Sequence, residues 1–249
     1  MPRLILLSGP SCVGKSPLAH ALGQFYPALA ETLVAPVLYT SRAARPGERD
    51  GVDYHFRPRA VIEELRQDKG TIVLDVRRDL QALRMADLHA ILDQGQDAFF
   101  EGNPYIATAL MAAPALREIP VISAFMSPLS AEEVTSISAE DPANVAAIVT
   151  DVMRHKLLRR TQKQKGVLSA HDLEDIEARA GAAWQELGDA HRFQWVLPNH
   201  DGEDSDNWDA FYYLLGDARK SLLDFVALLT GQPPRWAERW EPDVMPTTR

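Results

Sequence analysis

Apolar positions fall in short blocks along the chain, and longer stretches with helical spacing separate them. Residues 4–7 (Leu-Ile-Leu-Leu) form a continuous apolar run, which predicts a strand buried on both faces. Residues 15–24 predict a helix that ends near Gly23 and Pro27. Residues 33–40 predict a strand, with Pro36 confining it to an edge or a bulge. Residues 41–59 are rich in Arg, Pro, Gly and Asp and predict a loop with short extended pieces. A helix over 58–68 and a strand over 71–76 follow. From 79 to 94, Leu80, Leu83, Leu88, Ile91 and Leu92 recur at helical spacing and predict an amphipathic helix. Residues 98–101, 121–126 and 193–197 predict further short strands. Helices are expected over 104–116, 130–137, 142–163, 171–187 and 207–230, and a tail after Gly231 lies along the surface.

Strands alternating with helices imply an α/β fold with a mostly parallel sheet covered on both faces, a three-layer sandwich. Such sheets bind ligands beyond the C-terminal ends of their strands. The first strand runs directly into Ser8-Gly9-Pro10-Ser11-Cys12-Val13-Gly14-Lys15-Ser16-Pro17. Gly9, Gly14, Lys15 and Ser16 fill the pattern G-x-x-x-x-G-K-S of a P-loop, and a strand before it with a helix after it is the context that pattern requires. Glycines let the backbone turn its N–H groups toward a polyphosphate, and the following helix adds unpaired N–H groups and a positive dipole end. The segment 9–17 is therefore the expected cradle for ATP, contributed by Gly9, Ser11, Cys12, Val13, Gly14, Lys15, Ser16 and Pro17. Lys15 is expected on the β- and γ-phosphates, and the Ser16 hydroxyl on Mg²⁺. Pro17 is tolerated in the first turn, where N–H groups lack helical partners.

Composition narrows the class. The 249 residues are 46% hydrophobic and 24% charged, which is that of an ordinary globular protein, and the net charge of −9 argues against nucleic acid as the main partner. No apolar run reaches about 18 residues, so no membrane span is expected. The N-terminus enters the P-loop strand at once, unlike a cleaved signal. A single cysteine, Cys12, excludes an internal disulfide and fits a reducing, cytoplasmic setting. The expected assembly is a monomer or homodimer. Against the acidic background stand two basic clusters. One holds Arg154, Lys156, Arg159, Arg160, Lys163 and Lys165; the other holds Arg42, Arg45, Arg49, Arg57 and Arg59. They read either as local anion sites or as solvated faces.

The stretch from Tyr39 to Phe56 contains Thr40-Ser41-Arg42, then Arg45, Gly47-Glu48, and Gly51-x-Asp53-Tyr54-x-Phe56. It resembles the acceptor signature of guanylate kinases, T-T-R-x-x-R-x-G-E-x-x-G-x-D-Y-x-F. The P-loop segment, Asp175 to Arg179, Trp184 to Leu187 and Phe193 to Asn199 are also similar to that family, so the resemblance extends over about residues 3–200. It implies one P-loop kinase domain over 1–249, with an acceptor-binding subdomain at 38–80, a lid at 154–180 and a C-terminal helical extension at 205–249. It further implies ATP and Mg²⁺ as cofactors, a small phosphorylated acceptor as partner, and no nucleic acid or membrane. Thr40, Ser41, Arg42, Arg45 and Tyr54 would hold the acceptor. Arg179 and Arg160, or Lys163 in place of Arg160, would neutralise the transferring group, with Lys15 and Arg42 completing the catalytic set. Glu101 would lie near Mg²⁺ or the acceptor, or else cap its strand, and Asn199 would meet the adenine edge.

The same comparison brings out departures. Leu38 stands where the family has a serine, no Tyr-Gly-Thr turn follows, and Gly102-Asn103-Pro104 replaces the usual acid. Asp75 stands in for the family's base-binding glutamate, or serves another acceptor with Arg77 and Arg78, or caps the next helix. The activity implied is ATP-dependent transfer to a nucleoside monophosphate, GMP first, with a phosphorylated sugar as the alternative acceptor. A non-catalytic interaction module and a nucleotide-dependent switch are the readings from other classes. Modules of that kind typically lose the P-loop, which is intact here.

Overall fold

The computed structural model describes residues 1–45, 47–140, 144–210 and 212–245. Strand β1 (Leu4–Ser8) is buried at every position and lies at the centre of a five-stranded sheet. The P-loop leads from it into α1 (Lys15–Phe25), then α2 (Pro27–Ala30) and the short edge strand β2 (Leu33–Val34). The predicted strand over 33–40 is two pieces in two sheets. Pro36 cannot donate to a ladder, and the chain leaves the main sheet there to form β3 (Tyr39–Thr40). A second, four-stranded sheet is built from β3, β4 (His55–Phe56), β5 (Thr71–Val76) and β6 (Asp79–Arg84), with α3 (Arg59–Glu64) packed against it.

The helix expected from 79 is a correction. Residues Asp79–Arg84 form β6, paired antiparallel to β5 through a two-residue turn at Arg77 and Arg78, and α4 (Met85–Asp93) begins only afterwards. The leucine spacing that suggested a helix is a coincidence of register. Leu80 packs with Ile62, Val73 and Ala82 on one face, and Leu83 joins the main core on the other.

The chain returns to the main sheet with β7 (Asp97–Glu101), followed by α5 (Pro104–Ala112), β8 (Val121–Ser127), α6 (Ala131–Glu140), α7 (Asn144–Lys165), α8 (Ala170–Leu187), β9 (Trp195–Pro198) and α9 (Gly216–Leu229). The order β2-β7-β1-β8-β9 is parallel throughout. Leu4 aligns with Ala98 on one side and Val121 on the other, so Ser8 and Glu101 end at one edge of the sheet with the P-loop above them. Asn103 caps α5, with Pro104 at its first position, and Pro114 stops it before the expected end at 116. Ser169 and Asp172 form a reciprocal capping box that opens α8.

The last helix is shorter than the expected 207–230. Residues 206–208 make a separate turn that buries Trp208, whereas Tyr212 and Leu215 are exposed. Phe211 and the first two residues of the expected helix 142–163 lie outside the described residues. The tail does more than follow the surface, because Glu238 pairs antiparallel with Val196 and Trp240 is buried. No helix among the described residues is long and apolar enough to cross a membrane.

Candidate active site

Two glycines give the P-loop its shape. Gly9 has φ 137°, and a Cβ there would lie 2.3 Å from the Met126 carbonyl oxygen. Gly14 has φ 110°, and a Cβ there would lie 2.5 Å from Asn199 Nδ2. Neither position admits a side chain. Lys15 folds back into the loop it follows, and its Nζ donates to the carbonyls of Gly9 at 2.8 Å and Pro10 at 2.6 Å. Burial pulls the ammonium below the usual lysine range, against the pull of Glu203 and Glu101. Ser16 Oγ donates to Glu101 Oε1 at 2.6 Å. Burial raises the Glu101 carboxyl, opposed by that hydroxyl and by Lys15.

Arg42 and Arg45 face the P-loop across the same cleft, which Gly9, Ser11, Cys12, Lys15 and Ser16 line on one side and Arg42, Arg45 and Tyr54 on the other. Arg42 makes a two-pronged pair with Glu48, at 2.6 Å on each prong, and its guanidinium carbon lies 4.9 Å from the Tyr54 ring centre. Burial opposes its charge, and Glu48 outweighs that, so Arg42 is held above its usual value. Arg45 has no ion-pair partner among the described residues. Crowding by the cleft walls, then Arg179, Arg42 and Arg160, push it down to about 10. Arginines brought together in this way are relieved by a bound anion.

The helical pair α7–α8 supplies the third wall. Arg160 and Arg179 both line the cleft, Arg160 held by Glu203 at 2.8 Å and Arg179 by Asp175 at 2.9 Å. The rest of the basic run is paired elsewhere. Arg154 binds Glu177 at 2.7 Å, Lys163 binds Asp206 at 2.5 Å and Lys165 pairs with Asp172. Lys163 is thus outside the cleft, and the alternative that it replaces Arg160 finds no geometric support.

Several expected site residues lie elsewhere. Asp75 points away from the cleft, on the α3 side of its sheet, and pairs with Arg59 at 2.5 Å and Arg66 at 3.1 Å. Strand alternation is the reason: Asp75 is opposite Leu80 in the register, on the face that packs against α3. Thr40 is opposite Gln81 in the register and so shares the cleft-side face, but it is fully buried there and does not line the cleft. Ser41 stands behind the cleft wall, where its hydroxyl accepts from Leu80 N–H at 2.8 Å and donates to Asp79 at 3.2 Å. Asn199 is also fully buried, and it braces the P-loop, with Nδ2 donating to Val13 O at 2.7 Å and Asp201 O at 2.6 Å. Its expected place at an adenine edge is therefore corrected to a support beneath the loop. Val13 is packed in the core, and Gly14 and Pro17 shape the start of α1.

Sequence reasoning singled out Arg77 beside Asp75, and Asn103 as a departure from the motif, but held no signal for Glu203, Asp79 or Gln81, which also line the cleft. Glu203 comes from the loop after β9, where its N–H donates to Cys12 O at 3.2 Å. Burial would raise its carboxyl, but Arg160, Lys15 and Arg45 outweigh this and keep it low. Arg77, Asp79 and Gln81 come from the β5–β6 hairpin, and Asn103 from the cap of α5. Recognising β6 as a strand would have placed Asp79 and Gln81 together on one face. A second polar cleft, between α7 and the loop after β9, is lined by His155, Arg159, His200 and Asp204, among others.

Comparison with known proteins follows the same outline. A family model described as guanylate kinase matches residues 1–154. The guanylate kinase of Corynebacterium diphtheriae is 33% identical over 202 residues, which cover 81% of this chain and 88% of that protein. The guanylate kinase of Alkalilimnicola ehrlichii is 27% identical over 249 residues, covering 99% of this chain and 96% of its own. Among solved structures, guanylate kinase from Anaplasma phagocytophilum superposes with a TM-score of 0.51 at 22% identity, over 80% of this chain and 78% of that one, a likeness of fold.

Proposed function

Because this chain belongs to the guanylate kinase family, we propose that it transfers the γ-phosphoryl group of ATP to a nucleoside monophosphate, GMP, releasing ADP and the diphosphate. The observation that carries this reading is one cleft lined by both a complete P-loop and the Arg42–Arg45–Tyr54 group. A triphosphate cradle alone fits a switch or an ATPase. A second anion site opposite it fits a two-substrate transfer.

Phosphoryl transfer asks the protein mainly for alignment and charge neutralisation. Lys15 and the P-loop N–H groups would hold the donor phosphates. Arg42 and Arg45 would hold the acceptor phosphate, with the Tyr54 phenol, which burial keeps protonated, as a further donor. Arg160 and Arg179 would meet the charge on the transferring group from the third wall. The Ser16 hydroxyl and Glu101 carboxylate are hard oxygen donors side by side on the cleft wall, a set that fits Mg²⁺. Bound there, the ion would supply positive charge to the β- and γ-phosphates. The donor base would lie toward the second cleft, beside Arg159 and His200.

The test is a coupled ADP-release assay with ATP, Mg²⁺ and a panel of nucleoside monophosphates and phosphosugars, with Lys15→Met as the blank. ADP release that depends on GMP and is lost in Lys15→Met is expected. Release without any acceptor, or only with a phosphosugar, would overturn the proposal.

A further inference from the structure

The hairpin wall of the cleft carries two polar side chains that phosphoryl transfer leaves without a task, Asp79 and Gln81. They stand two apart on β6 and so share a face. Their partners across the hairpin are Val76 and Leu74, and Val76 lines the cleft beside Asp79.

The surrounding hydrogen bonds determine which atoms each offers. Leu80 N–H donates to Ser41 Oγ at 2.8 Å, so the Ser41 proton turns to Asp79 Oδ1 at 3.2 Å. Asp79 Oδ2 has no hydrogen-bond or ion-pair partner among the described residues, and it remains an acceptor for the cleft. Asn103 caps α5, with Oδ1 accepting from Ile106 N–H at 3.1 Å. That directs Asn103 Nδ2 to Gln81 Oε1 at 2.7 Å. With its oxygen engaged, Gln81 presents its Nε2 hydrogens. The network thereby assigns the amide orientation on both residues.

The wall thus offers a carboxylate acceptor next to a neutral donor. The complementary ligand edge has N–H donors beside a carbonyl. Guanine has that edge: N1–H and the 2-amino group for Asp79, O6 for Gln81. Adenine presents a bare N1 lone pair where the carboxylate needs a proton. Resting on the reading of this cleft as a monophosphate-acceptor site, we infer that Asp79 and Gln81 select the acceptor by reading the lactam edge of its base, in the role sequence reasoning gave to Asp75.

The experiment measures kcat and KM with ATP and GMP, IMP or AMP, for the wild type, Asp79→Asn and Gln81→Glu, with a melting curve for each. IMP keeps N1–H and O6 and lacks the 2-amino group. The wild type should prefer GMP to IMP by about tenfold and to AMP by a thousandfold or so, since a site built to hydrogen-bond one edge rejects another strongly. Asp79→Asn should raise KM for GMP by about a hundredfold with kcat changed only a few-fold, the loss expected for a hydrogen bond to a charged group. It should also bring GMP and IMP to near parity. Gln81→Glu keeps the bond from Asn103, sets a carboxylate against O6, and should weaken GMP at least as much. A folded Asp79→Asn with unchanged KM for GMP, or with the GMP-over-IMP preference retained, would overturn the inference while leaving the proposed activity standing. If that variant does not fold, unchanged GMP kinetics in Gln81→Glu has the same force. Transfer by the wild type to none of the three would overturn both.

Discussion

Arg160 on α7 and Glu203 in the loop after β9 meet across the P-loop, Nη1 to Oε2 at 2.8 Å, with 13% and 17% of their side chains exposed. Glu203 is itself fixed to the loop through its N–H on Cys12 O. The pair therefore aims a helical-arm arginine into the cleft from a point anchored on the phosphate cradle. It also places a negative charge near Lys15, where the proposed donor would bind. Removing that charge acts on two quantities in opposite directions. In Glu203→Gln, Arg160 keeps a neutral, weaker partner and loses its fixed aim, so kcat should fall about tenfold, equivalent to about 1.4 kcal/mol in the barrier. KM for ATP should stay level or fall, because a repulsive charge is gone. Steady-state kinetics with ATP varied will decide, and an unchanged kcat would show that Arg160 needs no such anchor.

Cys12 tests how closely the loop is packed. Its side chain is fully buried, its φ is 68°, and burial, with Glu203 adding to it, pushes the thiol up to about 12. The thiolate is the reacting species, so at pH 8 the native protein should resist iodoacetamide for hours and keep its activity, while the urea-unfolded chain is labelled readily. Labelling of the folded protein at one equivalent within minutes would contradict this packing.

The donor side of the cleft was readable from the sequence because its parts are contiguous. One strand, one turn and one helix start are specified by residues 4–17, and nothing distant is needed to align them. Arg42, Arg45 and Tyr54 were found through a motif, and the loop between the short strands β3 and β4 brings them together. What stayed hidden depends on parity and on long-range closure. Leu80, Leu83 and Leu88 satisfy a helical repeat, but the tight turn at Arg77 and Arg78 makes 79–84 a returning strand. In a strand, an odd step of one residue changes the face, which sends Asp75 toward Arg59 and Arg66 and brings Asp79 into the cleft. Glu203 lies 43 positions from Arg160, and no local pattern announces that pair. Asn199 occupies a position the motif assigns, yet its amide is spent on the backbone of Val13 and Asp201.

Arg77 ties the same hairpin to α8. It occupies the first position of the turn with φ 59°, and it meets Glu186, which is fully buried, at 2.7 Å. Burial raises the Glu186 carboxyl even with Arg77 beside it. Arg77→Ala would leave that carboxylate without its partner, a change that destabilises by roughly 3 kcal/mol in comparable buried pairs. The loss should depend on pH. At pH 8 the orphaned group must stay charged or take a proton at a cost, whereas near pH 5.5 it protonates easily and the deficit shrinks. Urea unfolding of both proteins at the two pH values measures this. An equal deficit at both would mean that lost packing, not the buried charge, is responsible.

His200, in the loop after β9, has a carboxylate on each ring nitrogen, Asp217 at 2.6 Å from Nδ1 and Glu133 at 2.9 Å from Nε2. The three groups join α6 and α9 to the segment that carries Asn199 and Glu203. Burial opposes charging the ring, but Asp217 and Glu133 outweigh it and hold the histidine above its usual value. A histidine raised on folding stabilises fully below its unfolded value, about 6.5, and that contribution is lost as pH rises through the folded value. Glu133 and Asp217 are held below the usual carboxylate range despite their partial burial, so their share is present above about pH 4.5 and fades as pH falls further. The two conditions overlap between about pH 5 and 6.5, where the clasp should contribute most. His200→Gln should therefore lower Tm more at pH 6 than at pH 9. Half of the histidine side chain is exposed, so 1 M salt should reduce the difference at pH 6 by screening. A Tm deficit that is the same at both pH values and insensitive to salt would show that the ring acts there through shape alone.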